Sequence, residues 1–121
     1  MKKITERGYP VVKEWMGNDV YDIPTLDLLG VWSPIHCRRM GSYKHIVQDM
    51  LNGEYLQIPL LCFVAGDGML RVKWGCVAWL AAKETRKVES LHCVFAGNAE
   101  KTDALRDDQR AYFNFQSGAF C

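Results

Sequence analysis

Hydrophobic and polar positions change period several times along this chain, and each change marks a boundary between elements. The opening stretch GYPVVKEWMGNDVYDIPTLDLLG alternates as one or two short strands do, with Gly17-Asn18 as the turn. The next stretch, DIPTLDLLGVWSPIHCRRM, holds Pro24, Gly30 and Pro34, which predict a strand end followed by loop. In YKHIVQDMLNG, Ile46, Val47, Met50 and Leu51 fall on one helical stripe, with Ser42 as N-cap and Asn52-Gly53 as the stop.

The run IPLLCFV has no polar position, the pattern of a strand buried on both faces. AGDG supplies a hairpin turn and MLRVKW alternates as the returning strand. CVAWLAAKE is apolar around nearly the whole cylinder and predicts a short central helix. KVESLHCVFAG reads as another strand. Asn98 then caps a last amphipathic helix, over 98–116, that turns Leu105, Ala111 and Tyr112 inward. The order predicts an α+β fold: a small mixed sheet with packed helices in a single domain, 1–121.

Bulk properties narrow the function classes. The 121 residues carry 15 basic and 14 acidic side chains, a net charge of +1, so no global field draws in DNA or an anionic membrane. Nucleic-acid contact would have to rest on a local basic cluster. No apolar run approaches the roughly 18–20 residues of a membrane span, and MKKITERGYP has no apolar h-region behind its basic start. Five cysteines without a C-x-x-C pair predict reduced thiols in a cytoplasmic protein rather than a disulfide framework or zinc site. His36, His45 and His92 have no metal-ligand spacing, and no cofactor is expected.

Two places carry candidate chemistry. WGCVAWLAAK puts a glycine and then Cys76 between an expected strand and helix, where backbone N–H groups favour a phosphate or a reactive thiol. HCRRMGSYKH gathers Arg38, Arg39 and Lys44 into the densest basic cluster, an accessible loop for anion contact. Lys73 and Gly75 at the end of the preceding strand join them as candidate binding residues. The segment DALRDDQR reads as the charged face of the last helix.

From Tyr21 to Phe95, about three fifths of the chain, the sequence resembles the ParB/sulfiredoxin superfamily. The elements DIPTLDLL, CRRM, HIVQDMLNG, IPLLCFV, GDGMLRVKW, GCVAWLAA and VESLHCVFA follow the family's order and spacing. The resemblance places the Arg38–Arg39 loop beside the N-terminus of the Gly75 helix. There, ParB-like nucleases and nucleotide-binding relatives carry acidic, His or Arg side chains just after the glycine, and sulfiredoxins carry G-C-H-R with the cysteine as nucleophile. Cys76 matches that cysteine, but Val77 and Ala78 stand where the family's His and Arg would hold phosphate.

The resemblance therefore implies a non-catalytic binding protein with a macromolecular partner, a host protein or nucleic acid. A small ParB-like nuclease or nucleotide-binding enzyme, and a sulfiredoxin-like thiol enzyme using Cys76, are the alternatives. The chain ends one helix after the superfamily core, so chromosome partition is not expected. Small stand-alone relatives resemble phage and mobile-element proteins, which implies by analogy a role in host takeover or counter-defence.

Overall fold

The structure, a computed structural model, describes residues 2–113, with side chains through 109. Among the described residues, six strands form one mixed sheet: β1 (Val11–Trp15), β2 (Asn18–Pro24), β3 (Leu28–Gly30), β4 (Leu60–Val64), β5 (Leu70–Trp74) and β6 (Ser90–Ala96). Their order across the sheet is β1-β2-β6-β4-β5-β3. The pairs β1–β2, β2–β6 and β4–β5 are antiparallel, whereas β4–β6 and β3–β5 are parallel. The helices are α1 (Pro34–Arg39), α2 (Ser42–Leu51), α3 (Cys76–Thr85) and α4 (Lys101–Phe113).

The period-2 alternation sorts each strand between two cores. Tyr21, Ile23, Leu60, Cys62, Leu70, Val72, Leu91 and Cys93 point to the face that α1, α2 and α3 cover. Val20, Leu61 and Val94 point to the opposite face, where Leu105 of α4 and half-buried Trp74 pack on them. Central β4 buries residues on both faces, which is why its sequence shows no alternation. Helix α3 is buried without interruption from Cys76 to Ala82, as its all-round apolar pattern predicts.

The hairpins form as expected, with β1 and β2 joined around Gly17 and β4 and β5 around AGDG, where the Gly68 N–H bonds to the Ala65 carbonyl at 2.9 Å. Asn98 caps the last helix, its Oδ1 accepting from the Lys101 N–H at 2.8 Å. Leu105 faces inward; Ala111 and Tyr112, and the expected helix end at 116, lie outside the described side chains or residues.

Two expectations are corrected between Leu28 and Ser42. The stretch expected to be loop forms β3 and then α1. Pro34 occupies the first turn of α1, where its missing N–H costs nothing, and the Ser33 hydroxyl accepts from the His36 N–H at 3.2 Å. Proline here starts a helix instead of breaking one, and Arg38 and Arg39 end on helix, not loop. Ser42 is the first residue of α2 and not its cap. Gly41 before it is already helical, at φ −59° and ψ −30°, and the Tyr43 N–H bonds back to the Met40 carbonyl at 3.0 Å. That continuous turn lacks the extended geometry a side-chain cap requires. The stop is as read: Asn52 caps the helix and Gly53 takes φ +72°.

The two-sided packing of β4 sets the first prediction. Leu61 is fully buried on the α4 side. Leu61→Ala is expected to destabilise the protein by about 2–5 kcal/mol, read as a lower urea midpoint with unchanged slope; a loss under about 1 kcal/mol would mean that face is loosely packed.

Candidate functional site

The N-terminus of α3 begins at a left-handed glycine. Gly75 has φ +105°, and a Cβ there would lie 2.5 Å from Leu60 Cδ2, so neither the backbone nor the space admits a side chain. The first turn beyond it is filled. Cys76 and Val77 have no exposed surface and Ala78 has 1%. The Cys76 Sγ donates to the Val72 carbonyl at 3.1 Å, back into β5. Trp79 lies over Gly30, where an added Cβ would come within 2.8 Å of its ring, and its Nε1 donates to the Thr25 carbonyl at 3.3 Å. This turn is packed between sheet, Trp79 and Leu60, and none of its side chains carries charge.

Cys37, Cys62 and Cys93 are buried like Cys76. Burial pushes the Cys62 thiol well above its ordinary range, and the neighbouring Cys93 and Cys76 add to the effect. These thiols behave as small hydrophobes.

The basic segment divides. Arg38 pairs with Glu84, its Nε donating to Oε1 at 3.2 Å and its Nη2 to Oε2. The Tyr43 hydroxyl donates to the same carboxylate. Glu84 is the penultimate residue of α3, so Arg38 sits at the end of the helix away from Gly75. Arg38 is therefore not beside the Gly75 turn, where the resemblance places it, because its partner Glu84 lies at the other end of α3. Hydrogen bonding from Arg38 is the main cause that lowers the Glu84 carboxyl below its usual value, while Tyr43 rises chiefly through burial and then through its bond to Glu84. Arg39 and Lys44 are exposed, and neither makes an ion pair among the described residues.

Lys73 belongs to a different group. Its Nζ lies 4.4 Å from the Trp74 ring centre and 3.6 Å from Asp103 Oδ1 on α4. The same Oδ1 accepts from Trp74 Nε1 at 2.8 Å, and Arg106 stacks on Trp74 from α4 at 4.1 Å. Trp32, Asp103 and Arg106 were not among the candidate residues. Each meets Trp74 from a distant part of the chain, so no local spacing could have joined them. His36 meets Trp32 edge to face, His45 lines an open groove beside α2, and His92 on β6 is held below its usual value mainly by burial. No group of three or more His, Cys, Asp or Glu among the described residues is placed to hold a metal ion. No helix among them is long and apolar enough to cross a membrane.

No protein-family profile and no curated protein sequence matches the chain. Among solved structures, the C-terminally truncated chromosome-partitioning protein ParB from Caulobacter crescentus, complexed with CTP-gamma-S, aligns with a TM-score of 0.52 at 16% identity. That alignment covers 81% of this chain and 54% of the ParB chain, so this protein spans about half its length. Sulfiredoxin from Arabidopsis thaliana aligns with a TM-score of 0.47 at 16% identity, over 73% of this chain and 93% of that one. The likeness to the ParB chain shows the fold, the ParB/sulfiredoxin-like one that the ordered motifs from Tyr21 to Phe95 imply.

Enclosure of Cys76 sets its reactivity. In the native protein it is expected to remain unalkylated over a time in which denatured protein is fully labelled, as peptide mapping by mass spectrometry would show; labelling of Cys76 ahead of Cys37, Cys62 and Cys93 would contradict this. The Arg38–Glu84 pair makes a second prediction. Because the folded Glu84 pKa is lowered, the pair's contribution is present above the ordinary carboxylate range and is lost as pH falls through the folded value. Arg38→Gln is expected to raise the Glu84 pKa towards its ordinary value in a carboxyl NMR titration, and an unchanged titration would show that Arg38 does not set it.

Proposed function

We propose that this protein is a non-catalytic binding protein on a ParB/sulfiredoxin-like fold, with a macromolecular partner. The observation that carries the reading is the filled first turn of α3. A phosphate clamp needs cationic side chains converging on exposed backbone N–H groups. Here Cys76, Val77 and Ala78 are buried and apolar, and the nearest basic side chain in sequence, Lys73, is occupied with Asp103 and the Trp74 ring. The fold neighbour solved with CTP-gamma-S makes nucleotide chemistry the reading to test against.

The surface free to recognise a partner includes Arg39 and Lys44. Arg38 works differently: tied to Glu84, it holds α1 against α3 and so fixes where Arg39 projects. This replaces a binding role for Arg38 with a positioning one.

The test is turnover. Incubation with CTP, ATP and DNA in magnesium or manganese is expected to yield no product above a buffer blank. Metal-dependent turnover that Lys73→Ala abolishes would overturn the reading and restore an enzyme. In parallel, Arg39→Glu/Lys44→Glu is expected to melt within a few degrees of wild type, since exposed charges contribute little to stability.

A further inference from the structure

Around the β3 edge of the sheet, side chains from separate parts of the fold form one line. His36 of α1 lies 4.3 Å from Trp32 between ring centroids, at 79° between planes. Trp32, in the turn between β3 and α1, lies 6.0 Å from Trp74 at 66°. Trp74, at the end of β5, carries the Arg106 guanidinium 4.1 Å from its ring centre and the Lys73 ammonium at 4.4 Å. Arg39, three residues beyond His36 and exposed, is its neighbour on the helix surface. The line reads cation, imidazole, indole, indole, cation.

Its charge is positive. Asp103 is the acidic group in contact with it, and that carboxylate is engaged by Trp74 Nε1 and Lys73. Arg106 forms no ion pair among the described residues, and its Nε is buried without a hydrogen-bond partner. Beside Trp32 the surface is shallow and open, lined by Trp32, Ser33 and His36. Docking of α4 accounts for Trp74 and Arg106. It does not account for an exposed imidazole set edge to face against a half-buried indole on an open surface.

We infer that this line is a track for single-stranded nucleic acid, with bases stacking at Trp32 and His36 and phosphates meeting Arg106 and Arg39. Accessible aromatic faces flanked by cations hold single strands without sequence readout, because every base offers a π-face and every linkage a charge. Successive bases along a strand lie about 3.4 Å apart, so contacts of 4.3, 6.0 and 4.1 Å in succession reach at most a few nucleotides. A duplex conceals its base faces and meets only the cations. The inference rests on the non-catalytic binding reading and names the class of its partner.

The experiment is fluorescence anisotropy of a labelled oligothymidylate with the full chain, beside a duplex of equal length. The single strand is expected to bind more tightly than the duplex, and Trp32→Ala to weaken it about tenfold. Trp32→Phe should keep most of the affinity, and Arg106→Gln should flatten its salt dependence. Should Trp32→Ala unfold, His36→Ala and quenching of wild-type tryptophan fluorescence by the oligonucleotide decide in its place. Wild-type affinity in Trp32→Ala, equal binding of duplex, or no binding at all would overturn the track. No binding with a blank hydrolysis assay removes the track and leaves the binding reading; nucleotide turnover removes that reading itself.

Discussion

The structure depends on one backbone turn. Gly75 reverses the chain from β5 into α3 at φ +105°, and its missing side chain lets Leu60 of β4 pack where a Cβ would stand. Only that approach lets α3 enter directly against the sheet, with Cys76 donating back to Val72 and Trp79 seated on Gly30. Once α3 is fixed, β6 can cross to the far side of β4, and α1 and α2 have a surface to cover. The same closeness determines the chemistry. A turn so fully occupied by Leu60, Trp79 and Val77 is a packing element, and this helix start is part of the core.

Much of this was legible because it is local. Alternation in β2, β5 and β6, the unbroken apolar run of β4, the Asp67-Gly68 hairpin and the apolar α3 each declare themselves within a few residues. The buried start of α3 was legible too, since Cys76, Val77 and Ala78 follow Gly75 without a charge. The misreadings lie where one residue has two meanings. Pro34 ends a helix in its interior and begins one in its first turn, and only the hydroxyl of Ser33 on the His36 N–H distinguishes the cases. Ser42 resembles a cap, yet Gly41 before it is already helical.

Contacts between distant residues had no signal at all. Arg38 and Glu84 are 46 positions apart, and Trp74 and Asp103 are 29 apart. The basic cluster thus looked like one surface in sequence and divides in space: Arg38 pairs with Glu84 of α3, while Arg39 and Lys44 are exposed. Trp74 packs on one core while α4 brings Arg106 onto its ring and the β3–α1 turn brings Trp32 against it.

The central claim is that the start of α3 is core and not cradle. Amide NMR of Cys76, Val77 and Ala78 during titration with CTP and magnesium tests it most directly. The account predicts that these three resonances stay in place while nucleotide is raised to millimolar concentration. Saturable shifts at all three, reversed by chelating the magnesium, would show that the turn opens to receive a phosphate and would contradict it.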